Sequence, residues 1–167
     1  INMALTTTQL QTLKAAIAAE TDQAFVEYRA NGDNGMMAAF YNQPSSPAFI
    51  VWRTAVPPDE ITQNGFEWVR VDNLSVGKAR IWEWMFGNTL RVFNPSKASV
   101  RAGIDEAWKG TAADLAVRAA VYTHCKRAAK RCEALYSTGT GSDAVPGLLV
   151  FEGSINPFDI TLALNLP

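Results

Sequence analysis

The chain has 167 residues and 18.2 kDa, with 15 Lys and Arg against 16 Asp and Glu and a single His, so its formal net charge is −1. That balance excludes a polybasic nucleic-acid protein while leaving room for a local basic face. Hydrophobic residues at 48%, with eight Phe, five Trp and four Tyr, supply a real core, whereas two cysteines and one histidine exclude a disulfide scaffold, a four-ligand Cys/His zinc site and any two-histidine mechanism.

Ile1 and Asn2 precede Met3, which reads as the natural start, so the expected domain runs over residues 3–167. Thr6, Thr7 and Thr8 offer N-cap hydroxyls ahead of Leu10, Leu13 and Ile17, whose three-then-four spacing sets one apolar helical face among alanines. Thr21 or Asp22 caps a second short helix bearing Phe25 and Tyr28, which Gly32 ends in a left-handed turn. A third, with Met36, Met37 and Phe40, starts after Asp33 or Asn34 and stops near Asn42, ahead of Pro44. Ala48 to Trp52 is an apolar run that periodicity cannot assign between a buried strand and a tight helical turn, with helix or irregular structure the favoured reading.

Pro57 and Pro58 followed by Asp59 and Glu60 mark a helix start, Asn64-Gly65 marks a turn, and 66–71 is a candidate short strand. Ser75 to Phe86 reads as a helix through Ile81, Trp82, Met85 and Phe86, stopped by Gly87. Asn94-Pro95 predicts an N-cap and first-turn proline for a helix with the stripe Val100, Ile104, Ala107 and Trp108, ending at Gly110. Thr111 and Asp114 form a capping box that opens the longest expected helix, over 112–136. Its buried line is Val117, Val121, Cys125, Ala128, Cys132 and Leu135, and its other side carries Arg118, Lys126, Arg127, Lys130 and Arg131. After a Gly/Ser/Thr loop, 148–151 is another candidate strand, and Asn156-Pro157 with Asp159 caps a last helix over Ile160 to Leu164. The fold expected is mainly α, a compact single-domain helical fold of about seven helices with at most a short two-stranded β element. No apolar run approaches the roughly 20 residues that cross a bilayer, and the first residues lack the order of a signal peptide.

Gly139-Thr140-Gly141-Ser142 has phosphate-loop composition but leaves a helix and leads to Pro146, so it reads as a plain connection. Cys125 and Cys132, seven apart on one helix, lie about 10 Å apart along its axis, too far for a disulfide and awkward for one metal ion. They read as core thiols. His124 points away from Cys125 with no nucleophile elbow near it, and the adjacent acid pairs Asp59-Glu60 and Asp105-Glu106 diverge on a helix. No catalytic residue, metal site, cofactor or small-molecule substrate is therefore expected. Phe49, Trp52, Trp68, Trp82 and Trp108 are expected mostly in the core, whereas Trp84, out of phase with Ile81 and Met85, is a candidate partner contact. The basic side of the long helix is either a solvated face or a contact for an acidic protein or nucleic acid.

Three stretches carry a family likeness: Thr12 to Asp22 (TLKAAIAAETD), Tyr41-Asn-Gln-Pro44 with Ser46 to Thr54 (SPAFIVWRT), and Thr138-Gly-Thr-Gly141 leading to Phe151-Glu-Gly153. They resemble small proteins of the virion-structure gene module of tailed bacteriophages and prophages. The resemblance spans most of the chain and brings no catalytic or ligand motif. It implies a non-enzymatic virion or morphogenesis component in the head-to-tail connector region, acting by assembly with other phage subunits and possible as a homo-oligomeric ring. It further implies the bacterial host cytoplasm during assembly and then the virion, with DNA contact through the basic helix as an option. The alternative is a phage-encoded factor that binds a host protein or nucleic acid.

Overall fold

The computed structural model describes residues 4–87 and 92–167. Met3, the expected start, and the side chain of Phe86 lie outside that description. Helix α1 (Thr7–Ala19) begins at a full capping box, in which Thr6 Oγ1 accepts from the Gln9 amide at 3.2 Å and Gln9 Oε1 accepts from the Thr6 amide at 2.9 Å. Asp22 and Asp33 cap α2 (Gln23–Ala30) and α3 (Asn34–Tyr41) by accepting from Phe25 and Met36. Gly32, at φ +66°, makes the left-handed turn between them.

The rest of the chain runs β1 (Ile50–Trp52), α4 (Pro58–Ile61), α5 (Val69–Asp72), α6 (Val76–Phe86), α7 (Ala98–Ala107), α8 (Ala112–His124), β2 (Lys126–Ala128), α9 (Arg131–Tyr136) and α10 (Pro157–Leu164). The described residues are thus mainly helical, with one short antiparallel pair of strands, β1 and β2. The capping boxes at Thr111–Asp114 and Asn156–Asp159 both form.

Five local expectations are corrected. Residues 50–52 are a strand, because their β-favouring Ile-Val-Trp side chains meet a partner strand distant in sequence. Residues 69–72 are one helical turn, and 147–148 make only isolated bridges, to Val51 and Thr138. Asn94 is no N-cap: its side chain takes the Ser96 hydroxyl, and the Arg101 guanidinium holds the Pro95 and Ser96 carbonyls at 2.7 and 2.8 Å, so α7 starts after Lys97. The long helix over 112–136 does not exist as one element. It stops at Cys125, whose carbonyl accepts from the Arg53 amide, and Ala129 then donates to Phe49 O, so strand pairing overrides a helix-favouring sequence. Ala129 is buried there in place of Ala128.

The chain forms two compact units, one from residues 1–51 with 128–167 and the other from residues 52–127. In the first, α10 packs on α1 and α3, α2 on α3, and α9 on α1 and α3. Leu13, Ile17, Phe25, Met37 and Phe40 from the first segment meet Cys132, Phe151, Ile155 and Ile160 from the last. Polar side chains fasten the two segments. Asn42 donates to Ile155 O at 2.8 Å and accepts from Ile155 N at 3.0 Å, and the buried Glu133 carboxylate accepts from Lys130 N and Gly153 N, each at 3.0 Å.

The second unit centres on Trp108, fully buried, with Trp82 edge-on at 5.3 Å and Phe66 at 5.7 Å. Val56, Ile61, Phe93, Ile104, Val117, Val121 and Cys125 complete that core. Helix α4 packs on α8, and α6 on α7 at Gly103, where a Cβ would stand 3.2 Å from Met85 Sδ. The Asn42→Ala variant should unfold at clearly lower denaturant, because each buried backbone group it leaves unmade costs about 1–3 kcal/mol. A guanidinium titration that finds the wild-type midpoint would contradict this account of how the first unit closes.

Candidate functional site

With the long helix broken, the five basic residues do not share a helical face. In the second unit, Arg118 pairs with Asp105 at 3.5 Å, and the Lys126 ammonium stands 5.8 Å from the Trp52 ring centre, which Arg101 approaches at 5.0 Å. Tyr122, 5.4 Å from Trp52, donates its hydroxyl to Asp105 at 3.0 Å. Arg127 closes that unit in β2. In the first unit, Lys130 precedes α9 and donates to Gly153 O and Ser154 Oγ, while the Arg131 guanidinium lies 3.8 Å from the Phe40 ring centre. Arg118, Lys126, Lys130 and Arg131 thus each have a structural contact of their own. Cys125 lies in the core of the second unit and Cys132 in that of the first, both as thiols. Burial pushes the Cys125 thiol up to about 12 and the Cys132 thiol in the same direction.

Among the described residues no cluster of His, Cys, Asp and Glu could hold a metal ion, and no helix is long and apolar enough to cross a membrane. His124 contributes its carbonyl, which accepts from Arg53, and Arg53 also pairs with Glu60. That pair holds the Glu60 carboxyl below its ordinary value.

The feature that stands apart is a groove of about 850 Å³ along α6 and α7. Ile81 and Met85 of α6, Val100 and Gly103 of α7, and Ala55 and Phe93 line it with apolar surface. Trp84, 79% exposed, stands on its α6 wall. Gly77, Arg80, Ile81 and Trp84 follow the three-and-four spacing that puts them on one side of α6. A Cβ on Gly77 would meet nothing within 4 Å, so this stretch of wall is open. Arg80 and Lys97 are exposed lining residues with no side-chain hydrogen bond or ion pair to a described residue, and the lining contains no acid. The size and apolar lining are those of a recognition cleft, and the two cations favour an anionic or acceptor-rich occupant.

Sequence reasoning singled out Trp84 and missed Arg80, Lys97 and the groove itself. Its signal is an α6 sequence with more apolar residues than one buried stripe requires. Trp68 and Trp84, unlike Trp82 and Trp108, stay outside the core, at 62% and 79% exposure. Trp84→Ala should leave folding stability within about 0.5 kcal/mol of wild type, while Trp82→Ala should cost about 3–5 kcal/mol. Equal losses in chemical denaturation would show that the two indoles are not divided between surface and core. Both thiols should resist a thiol reagent until the protein unfolds. Because the folded state retains protons on Cys125, Tyr41, Tyr122 and Tyr136 that an unfolded chain releases, stability should fall as pH rises above about 9. A thermal midpoint that stays flat through that range would contradict the burial of these groups. No protein-family model, curated protein or solved structure matches the chain.

Proposed function

We propose that the chain is a non-enzymatic virion or morphogenesis protein of a tailed phage, working in the head-to-tail connector region by assembly with other subunits. The observation that carries assembly is the groove on α6 and α7, with Trp84 standing exposed on its wall and two cations, Arg80 and Lys97, whose side chains pair with no described residue. An exposed tryptophan beside a large apolar cleft marks a surface that gains free energy when a partner covers it, roughly 1.5–3 kcal/mol for each large apolar side chain fully buried. The phage setting is supported by the resemblance of Thr12–Asp22, Ser46–Thr54 and Thr138–Gly153 to virion-module proteins. On this reading the protein works in the bacterial host cytoplasm during assembly and then in the particle.

A second reading, a factor that binds a host protein or nucleic acid, is favoured by the cations gathered around Trp52, since an aromatic ring framed by Arg101 and Lys126 suits a base or an acidic side chain. Mass spectrometry of purified virions, with copy number measured against the major capsid protein, separates the two. About six to twelve copies per particle, the number a ring at the neck requires, is the expected result. Hundreds of copies would move the protein to the shell or tail tube. Absence from the particle would overturn the virion reading in favour of the second.

A further inference from the structure

The two units carry opposite charge. Residues 52–127 hold eleven Lys and Arg against eight Asp and Glu, a formal +3, while residues 1–51 with 128–167 hold four against eight, a formal −4. The segregation is sharpest at the end of the chain, where residues 132–167 contain four acids and no Lys or Arg. That same acidic segment presents an apolar ridge. Phe158 and Leu162 lie one helical turn apart on α10 and are 65% and 38% exposed, while Ile160 and Ala163 on the other side are buried in the core of their own unit. Helix α10 is therefore apolar on two faces with only one of them covered. The groove on α6 and α7 is its counterpart in the basic unit: concave, apolar and lined by the cations Arg80 and Lys97, whose side chains pair with no described residue.

We infer that copies of this chain associate head to tail, the Phe158–Leu162 ridge of α10 in the acidic unit of one copy seating in the α6/α7 groove of the basic unit of the next. The inference rests on the reading of the chain as an assembly protein and names a second copy of the chain as what the groove takes. The ridge and the groove are different surfaces, so the contact is heterologous: each copy offers one donor face and one acceptor face, and the series closes into a ring or runs on according to the rotation between neighbours. A helix laid in a groove with anchors one turn apart is a recurring recognition mode. Of the four acids in 132–167, Glu133 and Asp159 are buried on backbone amides, and Lys14 already donates to Leu166 O at the end of α10, so the attraction to Arg80 and Lys97 comes from the net charge of the acidic unit and the apolar ridge supplies the anchors. Because opposite formal charges draw the copies together, the association weakens as salt shortens the Debye length from about 10 Å at 0.1 M to about 3 Å at 1 M.

The test uses the full chain and two surface variants, Phe158→Glu in the ridge and Arg80→Glu/Lys97→Glu in the groove, with circular dichroism confirming that both fold. Mass is followed by sedimentation over a range of concentrations in low and high salt. Wild type should form concentration-dependent oligomers, and each variant alone should weaken association by about tenfold or more. An equimolar mixture of the two variants should give dimers that stop there, because only one intact ridge and one intact groove remain to meet. If wild type stays monomeric in low salt, or the mixture assembles no better than its components, the proposal is overturned. Dimers that survive in both variants would also overturn it, since they would show a different interface. Monomeric wild type together with detection in virions would remove self-association and leave the assembly reading standing, with another subunit in the groove. Self-association in this pattern with absence from virions would do the reverse.

Discussion

The first unit depends on the chain leaving it at Val51 and coming back at Ala128 in register with the segment it left. Ala129 donates to Phe49 O, Ser45 donates to Ala129 O, and Arg131 donates to Gln43 O, so three backbone hydrogen bonds align the returning strand with the departing one. Only with that alignment does Cys132 reach the core beside Phe40, and only then do Asn42 and Glu133 find the Ile155 and Gly153 backbone groups that they satisfy. The cost of ordering two distant segments is offset because the returning piece brings a large share of the apolar core with it, from Cys132 through Ala163.

The second unit solves a different problem with aromatic packing. Trp82 and Trp84 are two residues apart on α6, about 200° around the helix, so they cannot share a face. The slot beside Trp108 and Phe66 takes Trp82, and the helix geometry then obliges Trp84 to point elsewhere. Gly103 lets Met85 and Ile81 lie close against α7. The lining of Ile81, Met85, Val100 and Phe93 is thus a by-product of how the core below it is packed, and the groove is held by side chains that the core itself positions.

Local signals in the sequence are reliable where the chain decides locally. Thr6, Asp22, Asp33, Thr111 and Asn156 each accept the amide expected of a cap, and Gly32 takes the turn its position predicts. The same reasoning fails where a distant segment decides. Residues 126–130 have helical composition and are drawn into extended structure by pairing near Phe49 and Arg53, which no window of neighbours displays. Asn94 has the form of a cap, but Arg101 claims the carbonyls behind it. Of the candidate site, Trp84 was singled out for a phase unlike that of Ile81 and Met85, yet it stands one turn from Ile81 on the groove side of α6, and its exposure follows from its offset from the buried Trp82. Arg80 and Lys97 were not legible, since their significance lies in what fails to stand opposite them in space. Reading the five basic residues as one face failed along with the long helix that was to carry them.

The discontinuity of the first unit also bears on the order in which the protein becomes itself as it is made. Synthesis delivers α1 to α3 first, with Leu13, Phe25 and Met37 in hand but without Cys132, Phe151 or Ile160 to cover them. Residues 52–127 follow as one continuous stretch and have their whole core once Arg127 has left the ribosome. The middle of the chain is thus able to fold before the beginning, and the nascent amino-terminal helices spend the interval with greasy surface uncovered. A chain truncated between Arg127 and α10 would keep the second unit's described core residues and leave the first without its closing helix, a ready substrate for chaperones and proteases.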